Sequence, residues 1–468
     1  AHKGLLIGYL ATGNDAAIER ELQTVLDLFE THRNRIIDEQ NRNSFFDAEQ
    51  SVYDLAIGYE LSRGRDELAF DYSETSRARS LLDSLHYAPQ RAAGNEIADL
   101  PFRSMTTAQG FAQLREQLPA GIQIVQYALL ENSLAIWVLS RDGLSVVQRP
   151  IARNEFAERV NLYERLITSR HADDADKLRD TASSLYEILI DPIVGKLNQG
   201  QPICVIPDKL LFQLSFGSLW SKEAGKYFIE QFPIFISSSL NVLVQCSKAA
   251  AAHPATNDEA LLGIGNPSFD RAAHPDLSDL PDAVREVSAI AAVYPRTISL
   301  TSGAATKNAV EKYLYASDIV HFAGHYFIDS SDSLRSGLLL APEPARSGGD
   351  EALTAQDVFA LKLTRPKLIV LSACETTGEK YYGGEGIVGM ATTFLAAGVP
   401  LVVASQWPVD SNATADLMIA FHNYRRNGYS TISALRQAQI DMIRGSKNAD
   451  RPPYSWAAFI PIGGFATF

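Results

Sequence analysis

Apolar residues between Gly4 and Glu30 recur at steps of three and four, the spacing of helices that bury one face. The run reads GLLIGYLATGNDAAIERELQTVLDLFE, and its break at TGND predicts two helices. Gly13 suits the end of the first, and Asn14 or Asp15 the N-cap of the second. FFDAEQSVYDLAIGYELSRG from Phe45 and RDELAFDYSETSRARSLLDSL from Arg65 repeat this grammar across Gly64. Residues 1–90 therefore read as helical pairs like those of repeat arrays, without a full self-match at the 34-residue period. They are expected to be the last, atypical units of an array. Because the chain opens at Ala1 rather than Met, it is expected to be a piece of something longer.

The pattern changes after a mixed, proline-containing stretch from Tyr87, read as a linker over 91–118. GIQIVQYAL, LAIWVLS and LSVVQRPI are short β-rich runs joined at ENS and RDG, which predicts hairpins. Helical sequence follows from about 155 to 198. From Pro202 onward, apolar runs alternate with helical stretches: ICVIP, LLGIG, DIVHFAGH, KLIVLSAC and PLVVASQW. Continuous Val/Ile/Leu runs separated by helices are what a parallel sheet covered on both faces requires. An α/β layered fold is expected, with 119–260 as its first part and 261–468 as its second.

In such sheets ligands bind beyond the carboxyl ends of the strands. DIVHFAGH ends at His325, KLIVLSAC at Cys374, and PLVVASQWPVD near Trp407 and Asp410. If the three strands are parallel neighbours, these side chains share one rim. A thiol becomes a strong nucleophile as its thiolate, and a nearby imidazole promotes that and can protonate a leaving amine. The reading assigns Cys374 as nucleophile, His325 as acid/base, and the backbone N–H groups of Cys374 and Tyr326 as oxyanion donors.

Plainer readings stand beside this one. A lone cysteine in an apolar strand is often a small hydrophobe. Cys204 and Cys246 are assigned to structure on that ground, and the same reading applies to Cys374 until a histidine is placed beside it. His321, four residues before His325, reads as a satisfied core or supporting group, with catalysis by His321 as the alternative. Asp410 could line a pocket or cap the helix that follows. The stretch Tyr381 to Ala391 has glycines around Glu385 but lacks the lysine and hydroxyl of a phosphate loop, so it reads as a flexible loop entering a helix. GIGNPS lacks the third glycine of a dinucleotide fingerprint and reads as a turn.

Charge and composition narrow the classes. The chain has 468 residues, a net charge of −13 and a pI near 5.2, which argues against nucleic acid as a direct partner. No run nears the 18 apolar residues of a membrane span. Three cysteines without CxxC spacing form neither a disulfide framework nor, with nine histidines, a metal site. A reducing, cytoplasmic setting is expected, with no metal or cofactor.

The quoted pieces together resemble the CHAT domain, the caspase-like module found behind tetratricopeptide (TPR) repeats, within the caspase, gingipain and separase group of cysteine proteases. DIVHFAGHYFID, SGLLLAP, LTAQDVFALKL, KLIVLSACETTG, GGEGIVGMATTFLAAGVPLVVASQWPVDS and SWAAFIPIGG carry the likeness, with VIPDKLLFQLSFGSLW and LPDAVREVSAIAAVYP upstream. Caspases place their histidine about 50 residues before the cysteine, which is the interval between His325 and Cys374. The resemblance implies a caspase-like layered sheet with flanking helices, preceded by an α-helical TPR-like segment, and a dyad at His325 and Cys374. Such proteases usually have glycine after the histidine, where this chain has Tyr326. Trp407 and Asp410 fall where the primary specificity pocket is expected, and an acid there favours a basic side chain before the cut. The implied function is a cysteine endopeptidase acting on a protein substrate and activated by a partner or signal, with the N-terminal helices expected to bind a regulatory partner or the substrate. The alternative is a catalytically idle TPR-CHAT scaffold.

Overall fold

A computed structural model describes residues 2–33, 50–77, 81–82, 85, 110–169, 171–253, 256–271, 274–329, 332–343, 352–373, 380–382, 386–408, 410–445 and 451–468. The N-terminal helices are α1 (His2–Thr12), α2 (Asp15–Arg33), α3 (Ser51–Ser62) and α4 (Asp66–Thr75). Gly13 and Gly64 both adopt φ +69 at the breaks, and the Asn14 side chain accepts the Ala17 N–H at 3.3 Å. α5 (Arg153–Thr168), α6 (Ala175–Leu189), α7 (Leu240–Ala251), α8 (Pro281–Ala291), α9 (Lys307–Leu314), α10 (Ser411–Arg426) and α11 (Thr431–Arg444) follow. Among the described residues, no helix is long and apolar enough to cross a membrane.

One sheet runs through the molecule. Its strands are β1 (Gln123–Leu129), β2 (Ser133–Ser140), β3 (Gly143–Pro150), β4 (Ile203–Ile206), β5 (Ile234–Ile236), β6 (Ala260–Pro267), β7 (Arg296–Ser302), β8 (Ile319–Ala323), β9 (Leu368–Ser372), β10 (Leu401–Ser405) and β11 (Phe459–Gly463). Their spatial order is β3-β2-β1-β4-β5-β11-β10-β9-β8-β6-β7. β10, β9, β8, β6 and β7 are mutually parallel. β11 pairs antiparallel with β10 and parallel with β5, so direction reverses at that seam. The sequence reading of a parallel sheet thus holds for β6 to β10, whereas β1, β2 and β3 are the antiparallel hairpins expected of them and only β1, β4 and β5 are parallel in the first half. β5, β7 and the β11 seam were not singled out from the sequence.

Both faces of the sheet are covered, which is why its strands are continuously apolar. Leu368 and Val370 of β9 pack into one core with Leu401 and Val403, whereas Ile369 and Leu371 pack into the opposite core with Val402 and Ala404. All are fully buried, and each Val, Leu or Ile among them contributes about 1.5–3 kcal/mol relative to exposure. α8 lies unusually close to β6: a Cβ on Gly263 would meet Val287 at 2.7 Å, and one on Gly265 would meet the Ala283 carbonyl at 3.1 Å.

The N-terminal helices share this interior. Ile57, Leu61 and Phe70 pack with Trp137, Cys204 and Phe235 of the sheet. Asp54 of α3 receives Lys209 Nζ at 2.8 Å and Arg153 at 2.6 Å. Buried Arg77 donates to the carbonyls of Pro207 and Tyr127 and lies 3.5 Å from Asp208. Glu74, also buried, accepts the N–H groups of Leu240 and Asn241 and so caps α7 across 166 residues.

Asp208 also accepts the Leu129 N–H at 2.7 Å and pairs with Lys209 at 3.1 Å. Burial alone would raise its pKa, but Lys209, Arg77 and that N–H outweigh it and hold the carboxyl below its ordinary range. A depressed acid stabilises the fold above its unfolded pKa, and that contribution is lost as pH falls through the folded value. Asp208→Asn is therefore expected to cost about 3 kcal/mol at pH 7 by urea unfolding. The gap from the native protein should narrow below pH ~4.

Candidate active site

Three adjacent parallel strands end on one rim. Ala323 of β8 lies opposite Ser372 of β9, and Leu371 lies opposite Ala404 of β10. Gly324 then turns the chain where a Cβ would meet the Phe322 ring at 2.9 Å and Pro267 at 3.1 Å. His325 follows, half-buried. Its Nε2 lies 2.8 Å from the Ser278 carbonyl, and the Phe269 ring packs edge-on at 5.4 Å. A carbonyl can only accept, so Nε2 holds the proton and Nδ1 is the basic nitrogen.

Tyr326 opens the short strand Tyr326–Phe327, which pairs antiparallel with Gly337–Leu339. The Leu339 N–H donates to the His325 carbonyl at 2.9 Å. In that register Tyr326 and Leu338 form the pair that exchanges no ladder bonds, so the Tyr326 N–H points away from Gly337–Leu339. On the neighbouring strand, the buried Ser405 hydroxyl of β10 donates to the Ala373 carbonyl, which pins the end of β9. Cys374 is the next residue in the chain and lies outside the described residues.

Trp407 is buried in the larger core, and its indole N–H donates to the Tyr454 carbonyl at 3.1 Å. Asp410 is exposed and caps α10, accepting the Ala413 N–H at 2.9 Å. It also lines a cavity of about 870 Å³ with Tyr454, Arg451, Trp220 and Arg179, whose guanidinium sits 4.7 Å over the Trp220 ring. The cap and a place on a cavity wall are therefore compatible.

His321 lies wholly inside, bonded to Glu286 at 2.7 Å through Nε2 and to His422 at 3.1 Å through Nδ1. His422 in turn contacts the Tyr294 hydroxyl at 2.8 Å. Burial first, then His321 and the Arg425 cation, push His422 well below the ordinary imidazole range. This agrees with reading His321 as a satisfied interior group.

Residues 179–464 match the CHAT domain. The chain belongs to the CHAT domain family. Tetratricopeptide repeat protein 28 of Homo sapiens is 27% identical over 326 residues, covering 60% of this chain and 13% of that protein. Its Mus musculus counterpart is 26% identical over 327 residues, again covering 60% and 13%. The chain thus spans about an eighth of the length of these relatives. Among solved structures, the Saccharomyces cerevisiae separase–securin complex aligns with a TM-score of 0.59 at 11% identity, covering 97% of this chain and 37% of that one. At that identity the likeness speaks to fold alone, and the fold of this CHAT protein is the caspase-like layered one, preceded by TPR-like helices.

Two cysteines of the CHAT protein are interior. Cys204 and Cys246 are both free and buried. Burial pushes the Cys246 thiol up to about 12 and, with Glu74 nearby, raises that of Cys204 as well. Within Tyr381 to Ala391, expected as a flexible loop, Lys380–Tyr382 and Gly386–Val388 form an antiparallel pair that leads into the helix Met390–Ala396. A short ladder satisfies backbone groups that a loop would leave to water.

Ser278, Phe269 and Glu286 escaped the sequence reading. They lie on segments remote in sequence from His325 and His321, and no local periodicity marks them. Asp410→Ala is expected to cost about 1 kcal/mol through the lost cap, and Asp410→Asn only a few tenths. Thermal unfolding of the two variants measures the difference.

Proposed function

We propose that this CHAT protein is a cysteine endopeptidase with a His325–Cys374 dyad. The observation that carries the reading is the register of β8 and β9. Ala323 and Ser372 sit opposite each other at one rim, and in the sequence each is followed two residues later by the histidine and the cysteine. The protonation of His325 supports it, because Nδ1 is left as the base.

In the proposed reaction, the Cys374 thiol passes its proton to Nδ1 of His325, and the sulfur attacks the scissile carbonyl. The N–H groups of Cys374 and Tyr326 would hold the oxyanion. The imidazolium returns the proton to the leaving amine, and water then hydrolyses the thioester. No metal or cofactor takes part in these steps. Asp410, at the cavity wall, would receive a basic side chain before the cut. Residues 261–468 would act as the protease half, with 119–260 extending the sheet behind it. The N-terminal segment 1–90 is read as the face for a regulatory protein partner and 91–118 as its linker, in a cytoplasmic protein.

The relatives named for their repeats favour a second reading, an idle protein-binding scaffold. Alkylation by iodoacetamide separates the two. In an endopeptidase, Cys374 should label rapidly, and His325→Ala should slow it by about 100-fold or more; labelling at the rate of a free thiol, insensitive to His325, would favour the scaffold. Cys374→Ala should also abolish new N-termini when the protein meets a proteome from its source cell. Asp410→Asn keeps a capping oxygen but removes the charge, so it should weaken the preference for a basic residue with little change in stability. An unaltered cleavage profile would leave Asp410 as a cap alone.

A further inference from the structure

A carboxylate accepts hydrogen bonds, and Glu286 ends a buried polar chain that runs from Arg425 to His321. Arg425 donates to the Tyr294 hydroxyl at 3.0 Å. The Tyr294 hydroxyl meets His422 Nδ1 at 2.8 Å, and His422 Nε2 lies 3.1 Å from His321 Nδ1. At the end of the chain a carboxylate accepts, so His321 carries a proton on Nε2 and donates it to Glu286 at 2.7 Å. Arg425, Tyr294, His422, His321 and Glu286 are all buried. At the far end Arg425 is anchored by Glu259 at 3.1 Å and by the Thr431 hydroxyl at 3.0 Å.

The chain ties together three elements that lead to the rim. β8 carries His321 and runs on to His325. α10 carries His422 and Arg425 and begins at Asp410. α8 carries Glu286 and is preceded by Ser278, whose carbonyl holds His325 Nε2. A second bond steadies that lead-in, since the Leu280 N–H donates to the Asn266 side chain at 3.1 Å. Burying a carboxylate carries a desolvation cost that an apolar pair of the same volume would avoid. A directional bond at 2.7 Å supplies what apolar packing does not, a fixed azimuth and height of α8 on β8.

The geometry points to Glu286 and His321 as positioning residues for His325. They lock α8 to β8 so that the Ser278 carbonyl meets Nε2 and the imidazole keeps Nδ1 as its base. This rests on the reading of His325 as the acid/base of the proposed dyad.

Imidazole ¹⁵N–¹H correlation spectra test it, with the His325 signal assigned through His325→Gln. The native protein should show His325 as the Nε2–H tautomer. Glu286→Ala should convert that signal to a mixture of tautomers and slow iodoacetamide labelling of Cys374 by about tenfold or more. Glu286→Gln keeps an acceptor oxygen for His321 and should restore both. Tyr294→Phe breaks the chain between Arg425 and His422 with the loss of one oxygen, and it should move the His325 signal in the same direction even if Glu286→Ala does not fold. An unchanged His325 signal in a folded Glu286→Ala variant, or in Tyr294→Phe, overturns the inference. A shifted signal with unchanged labelling upholds the positioning role and removes the acid/base role of His325 instead.

Discussion

The antiparallel pairing of β10 with β11 is the constraint on which the rest of the molecule depends. Val402 lies opposite Ile462 and Ala404 opposite Ile460, and across that seam the strand direction reverses. A mixed first half and a parallel second half therefore share one hydrophobic layer. The larger core runs without a break from Tyr127 and Phe156 in the first half to Leu417 and Phe421 in the second. The reversal also sets the rim. The carboxyl end of β10, next to those of β9 and β8, meets the start of β11, and the residues just ahead of β11 reach Trp407. The Tyr454 carbonyl that receives the Trp407 indole comes from that approach.

Polar groups placed inside this layer do the work of registration. One cluster, around Asp208, Arg77, Lys209 and Asp54, keys the N-terminal helices to the sheet. Another joins Glu259 to Lys367 at 2.8 Å, with Arg425 on the same carboxylate. Lys367 sits at the base of the run that leads to Cys374, and its ammonium lies 4.7 Å over the Phe468 ring. Both clusters bring together segments far apart in the chain. Each group is costly to bury alone and tolerable only with its partners, so each admits few alternative arrangements. The N-terminal helices are consequently part of the sheet's support, since Glu74 and Arg77 end inside it.

The candidate site divides along the same line. His325, Tyr326, Trp407 and Asp410 could be named from sequence because each stands where an apolar run stops, and a period-2 run shows its own end. The partners of those residues could not be named. Ser278 is 47 residues from His325, Glu286 is 35 from His321, and His422 is 101 from His321. Asp410 shows the limit most clearly. Spacing left cap and pocket open, and the coordinates place its carboxylate on the Ala413 N–H while leaving it on a cavity wall.

By itself the sequence determined the N-terminal helices and most of the long apolar strands, though not β5 or β7, that the main strands are buried on both faces, and where chemistry-bearing residues sit relative to strand ends. These follow from periodicity and turn chemistry, which act over a few residues. Only the tertiary structure decided the strand order, the reversal between β10 and β11, the insertion of Glu74 and Arg77 into the sheet, and the tautomer of His325. Those depend on which distant surfaces exclude water from each other and on which buried donor meets which acceptor, and no local pattern encodes either.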